Sequence, residues 1–206
     1  MSKNKVNYIN ILGKEVDLTE EQIEKFKEIL GFHKIMLSDV EAGSTFKIDK
    51  YEFIVLKHFS ETTAVILKNL LYTNEKFGSD NNYNNSNCDH LCEDFGNVIE
   101  GIIGRDNLIE HIIDLTSDDG LKDYGVIKRK MSLLTAESYR HYVELLDKYK
   151  LDKYWWLSTA HSTPTHENVS WVKCVSPLGD INGSNYDGNN GVRPFCILKS
   201  NIFVTK

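Results

Sequence analysis

Two apolar runs close together, Phe53-Ile-Val-Leu56 and Ala64-Val-Ile-Leu67, constrain this chain more than any other feature. A strand with one wet face alternates apolar and polar residues, so near-continuous apolar runs predict strands covered on both faces. They lie within three β-prone segments, Ser44–Ile48, Tyr51–His58 and Thr62–Leu71, separated by the short polar turns Asp49-Lys50 and Ser60-Glu61. The expected structure is a meander at the centre of a core.

The chain has 206 residues, enough to bury roughly 70% of its unfolded surface without a metal or disulfide staple. It is 41% hydrophobic and 26% charged, which fits one globular domain with at most a small appendage. A net charge of −6 argues against a nucleic-acid binder working through a broad basic field. The basic run Lys128-Arg129-Lys130 reads as a solvated strand end. The first residues lack the apolar core of a secretion signal, and no run approaches the ~20 apolar residues of a membrane span. The spacing of Cys88, Cys92, Cys174 and Cys196 is unlike a secreted disulfide framework. The expectation is reduced thiols in a cytoplasm, with a Cys174–Cys196 bridge left open.

Outside the meander, Val6–Leu12 reads as a strand, and Thr19-Glu-Glu-Gln22 as a capping box opening a helix. That helix carries Ile23, Phe26, Ile29 and Leu30 on one face and closes at Gly31. Residues 1–38 are thus expected to form a strand–helix appendage and 39–206 the main α+β domain. Ser86 caps a helix to Ile103, with Leu91, Phe95, Val98, Ile99 and Ile102 as its buried stripe. Leu108–Leu115 fits either strand or helix, Thr116–Gly120 a turn, and Val126–Leu134 a strand. Thr135 caps a second helix, to about Lys150, with Tyr139, Tyr142, Val143 and Leu146 inward. Strands follow at Tyr154–Leu157, Val169–Val175, after Gly179, at Val192–Leu198 and at Ile202–Val204. Polar loops at 78–87, 158–168 and 182–190 are where small sheet domains place binding surfaces.

Four blocks then resemble a bacterial and phage domain family of unknown function, related to C-type-lectin-like and sulfatase-modifying-factor folds. They are Gly43–Leu56, Phe77–Ser86 with Asn-x-Tyr-x-x-Ser at its end, Ser132–Thr135 with Tyr139, and Trp155–Thr159 continuing to Gly191-Val-Arg-Pro-Phe195. The resemblance covers about residues 40–206. It implies a C-type-lectin-like α+β fold: a compact twisted antiparallel sheet with two to three flanking helices, often encoded by phages or mobile elements. It carries over no catalytic residue.

Trp155 and Trp156 fall on opposite faces of a strand and, with Trp171, are expected to be structural. Gly191, Arg193 and Pro194 are expected to form a structural unit, Arg193 clamping backbone carbonyls or a carboxylate with its fork of donors. Enzyme signatures are thin. No nucleophile elbow, phosphate-cradling loop or His-Glu-x-x-His helix occurs. Cys88, His90 and Cys92 lack the second ligand pair of a zinc site, and Asp180–Asp187 departs from the helix-loop-helix calcium pattern. No metal or cofactor is therefore expected. The cysteine pair of the related formylglycine-generating enzymes is also missing.

These features point to a non-enzymatic recognition module acting in the cytoplasm of a bacterial host. Its expected contact residues are Asn82, Asn84, Asp118, Asp119, His161, His166, Asp180, Asn185 and Asp187. The expected partner is a host protein or ribonucleoprotein, for example a defence nuclease such as a CRISPR effector, whose basic groove would accept the aspartates. Neither direct nucleic-acid binding nor membrane binding is expected. The alternatives are a virion-borne glycan or cell-surface binder, and an enzyme using His161 or His166.

Overall fold

A computed structural model describes residues 8–11, 14–19, 21–23, 25 and 34–206. Strands β1 (Tyr8–Ile11) and β2 (Lys14–Asp17) form a short antiparallel hairpin. The capping box forms: Thr19 N donates to Gln22 Oε1 at 2.9 Å, and Gln22 N to Thr19 Oγ1 at 3.2 Å. Phe26, Ile29, Leu30 and Gly31 lie outside the described residues.

The apolar meander forms as expected. Strands β4 (Thr45–Ile48), β5 (Tyr51–His58) and β6 (Thr62–Leu67) pair in sequence order, β4 and β5 turning at Asp49, whose φ is +54°. They form the middle of a curled, antiparallel eight-stranded sheet. Strand β3 (Lys34–Met36) joins through β17 (Phe203–Thr205) on one side. On the other side β16 (Phe195–Lys199) pairs with β6 and receives both β8 (Leu108–Ile109) and β11 (Met131–Ser132). Alternate residues of β5 enter different cores. Phe53 and Val55 face one that holds helix α1 (Asn87–Ile103); Ile54 and Leu56 face one that holds helix α2 (Ala136–Leu146). The continuous apolar run is therefore a strand between two cores. Each such side chain contributes roughly 1.5–3 kcal/mol by leaving water.

Both helix caps form where expected, with Ser86 Oγ accepting from Asp89 N and Thr135 Oγ1 from Ser138 N. The buried stripe of α1 is narrower than expected. Phe95 and Ile99 point inward together with Cys88 and Cys92, as helical spacing places them, whereas Val98 and Ile102 are exposed. The helix ends at Ile103, and α2 stops at Leu146 in a 3-10 turn, short of Lys150. The segment 126–134 breaks at Lys130, because β10 (Val126–Arg129) pairs with β9 (His111–Asp114) while β11 pairs with β16. All four cysteines are free and buried. No described helix is long and apolar enough to cross a membrane.

A second, five-stranded sheet runs in the order β14 (Ile181–Asn185), β13 (Trp171–Val175), β12 (Trp155–Ala160), β15 (Asn189–Val192), β7 (Tyr72–Lys76), with one parallel contact, β12 to β15. The chain passes from β15 to β16, and so between the sheets, at Arg193-Pro194. Arg193 is 1% exposed. Its Nε donates to Leu67 O and its Nη2 to Lys68 O, both at 2.9 Å, and its guanidinium stacks 5.2 Å from the Trp155 ring centre. The expected clamp on carbonyls is thus present, located where β6 leaves the large sheet. Trp155 and Trp156 fall on opposite faces of β12, as expected, and each enters a core.

Two predictions follow from this packing. Arg193→Met should lower unfolding free energy by about 3–5 kcal/mol in urea titrations, because it strips two buried carbonyls of their donors; Arg193→Lys, lacking the fork, should recover little. The second concerns His111, whose Nε2 bonds Ser132 Oγ at 2.9 Å while Nδ1 has no partner. Burial pushes its pKa down to about 4, below the value of about 6.5 in the unfolded chain. The unfolded state therefore binds the proton first, and the contribution of a neutral His111 is complete above about pH 6.5 and lost as pH falls toward 4. Stability should drop by about 2 kcal/mol across that window through this residue, allowing for its partial exposure. His111→Gln should flatten that part of the curve.

Candidate functional site

The loops 78–87, 158–168 and 182–190 gather at one end of the five-stranded sheet, and a single side chain fastens two of them. Asn81, 0% exposed, donates from Nδ2 to Ser162 O at 3.0 Å, Trp171 O at 3.2 Å and Asn168 O at 3.3 Å, and accepts from Tyr124 Oη at 2.6 Å. Its backbone N–H reaches Val169 O at 3.1 Å. The third loop is tied in by Phe77 N to Tyr186 O and Tyr186 N to Ser170 O, each 2.8 Å. The asparagine-rich stretch, flexible by composition, is an ordered latch.

Around this latch the expected contact residues separate into groups. Asn82 is occupied within its own loop and Asn84 by an arginine of β10. Asn82 accepts from Asn84 N at 3.0 Å, in the backbone-mimicking turn typical of asparagine, and Asn84 accepts from Arg129 Nη2 at 2.9 Å. Asp118 is spanned by two cations, Arg140 Nη2 at 2.8 Å and Lys173 Nζ at 3.0 Å. Burial pushes its carboxyl up, but the hydrogen bonds from Arg140 and Lys173 outweigh burial and hold it below the usual carboxylate range. Asp119 accepts from Ser117 Oγ at 2.5 Å, Ser162 Oγ at 2.6 Å and His166 Nδ1 at 2.9 Å, and the two hydroxyls in particular hold its carboxyl far below the ordinary value. Asp123 ties down Thr163 and Thr165 in the same way. These carboxylates brace the 158–168 loop instead of projecting as free charge.

His166, Asp119 and Ser162 have the composition of a nucleophile triad without its geometry. The hydroxyl donates to the carboxylate, whereas a nucleophile would donate to the imidazole. Asp180 stands apart. It precedes β14 at the end opposite Asn185 and Asp187, about 16 Å away by strand rise. Asp187 and Asn185 are exposed, with Asp187 N bonding Asn185 Oδ1 at 3.4 Å. Among the described residues no group of three or more His, Cys, Asp or Glu side chains is placed to hold a metal ion.

Trp171 requires a correction. Expected to be structural, it is 46% exposed. The β13–β14 register sets Trp171 opposite Asn185 and Lys173 opposite Gly183, and the indole leans over Gly183, where a Cβ would stand 3.2 Å from its Cε3. With His161 and Asn168, these residues line an open depression of about 300 Å³. The sequence carried a signal for this outcome. Trp171 and Lys173 share one face by the two-residue period of a strand, while Val172 and Cys174 share the buried one. For Asn81 the signal was its place as the Asn of the Asn-x-Tyr-x-x-Ser block; composition alone did not separate it from its neighbouring asparagines.

Asn81→Ala removes three donated bonds and leaves Tyr124 unpaired. It should cost about 2–4 kcal/mol and speed amide hydrogen exchange selectively across residues 161–171. No protein-family model matches the chain, and neither a curated protein nor a solved structure does.

Proposed function

We propose that this protein is a recognition module without catalytic activity, of C-type-lectin-like architecture and encoded by a phage or mobile element, that binds a host macromolecule through the loop end of its five-stranded sheet. The observation that carries the reading is the exposed Trp171, set among three loops that Asn81 and Tyr186 fasten together. Surface aromatic rings fixed before binding are common energetic centres of interfaces, since they bury much area and lose little freedom. The curled antiparallel sheet with loops collected at one end supports the lectin-like arrangement.

A host defence nuclease, such as a CRISPR effector, is one partner of this kind. The neutralisation of Asp118 by Arg140 and Lys173 moves the weight of such a contact from the aspartates to Trp171, with His161, Asn185 and Asp187 around it. The test is a comparison of the immobilised protein with its Trp171→Ala variant over a whole bacterial lysate, envelope included. The expected result is one stoichiometric component, identified by mass spectrometry, held by the parent and lost by a variant that melts at the same temperature. Identical retention by both would overturn the assignment of this face.

A further inference from the structure

The surroundings of Trp171 narrow the class of ligand, and this inference rests on the recognition reading above. The indole is half exposed and lies against Gly183, where the missing side chain leaves room for it beside the strand, so its other face is open to a ligand. Among the described residues the rim carries no free cation. The Lys173 side chain is 12% exposed and its ammonium is held on Asp118. Beside it stand an exposed imidazole, His161, and a partly exposed amide, Asn168. The chain is acidic as a whole and the rim offers no unpaired counter-charge among the described residues, so a phosphate-bearing or nucleic-acid ligand is disfavoured there.

What suits a flat apolar platform with a neutral polar rim is a ring with one apolar face and hydrogen-bonding groups around its edge. A pyranose has this shape: axial C–H bonds on one face, hydroxyls at the rim. The depression, about 300 Å³, is at the small end of ligand sites and fits a ring or two, with the rest of a chain passing into solvent. We propose that the Trp171 depression binds an uncharged sugar ring of a glycan by stacking on the indole. Rim contacts come from His161 and Asn168, with no carboxylates collected around a cation, since Asp180 stands at the opposite end of β14 from Asp187.

The experiment applies the full chain to a printed array of neutral bacterial and animal glycans and titrates the strongest binders while following indole N–H resonances. Trp155 and Trp156 are buried, so they serve as internal references. The expected result is binding unaffected by EDTA, a shift of the Trp171 resonance alone, and a loss of at least about tenfold in affinity for Trp171→Ala. Trp171→Phe should lose less, with melting temperatures unchanged. A blank array, binding that Trp171→Ala leaves intact, or a titration that leaves the Trp171 resonance in place would overturn the sugar assignment. A lysate complex that Trp171→Ala loses but free glycans do not displace would also overturn it, while leaving the recognition reading standing. A lysate complex indifferent to Trp171→Ala would overturn both.

Discussion

The relative placement of the two sheets depends on one buried cation. At the point where the chain leaves the five-stranded sheet for the eight-stranded one, Arg193 holds Leu67 O and Lys68 O, the carbonyls where β6 leaves in the other direction. The crossing is closed by Leu67 N to Pro194 O at 2.9 Å and Leu71 N to Val192 O at 2.8 Å. Burial lowers the guanidinium pKa to about 10, so it stays charged at neutral pH. Carbonyl dipoles and the Trp155 ring carry the compensation a carboxylate would otherwise supply. Gly191 completes the crossing, because a Cβ there would run into the Leu70 side chain.

The position of the loop end follows from that crossing. With β12 fixed between β13 and β15, Trp155 and Trp156 anchor opposite faces of the sheet. Trp155 packs edge-on against Tyr139 of α2, and Trp156 against Phe77, with its Nε1 donating to Glu75 O at 2.8 Å. Phe77 in turn begins the segment that carries Asn81. The loop end is thus connected to the core through aromatic contacts and a single amide hub, while the carboxylates of Asp119 and Asp123 complete the bracing from outside. Such an arrangement gives a polar loop surface the rigidity that preorganised binding requires.

Much of the fold was legible because local rules and tertiary context agreed. The capping residues Thr19, Ser86 and Thr135 act as their side chains dictate, and the period-two segments became strands. The expectations that moved involve choices that a one-dimensional pattern leaves open. The helix stripe of α1 lost Val98 and Ile102 to solvent, since the apolar period marks a face without marking how wide a strip of it the sheet covers. The aspartates read as contact groups because acidity alone does not reveal which cation or hydroxyl lies opposite. Trp171 read as structural alongside Trp155 and Trp156, although in an alternating strand it shares its face with Lys173, and that face is open.

The α+β character, the doubly covered meander, the helix starts and the three polar loops can be read from the order of residues. All of these rest on interactions within a few residues or on the period of apolar side chains. Three-dimensional packing was needed to show that Arg193 joins two sheets, that Asn81 reaches Ser162, Asn168 and Trp171, and that Trp171 faces solvent. Those contacts span some 80 to 126 positions of chain. Their partners are set by how strands are ordered and registered, which local propensity does not encode.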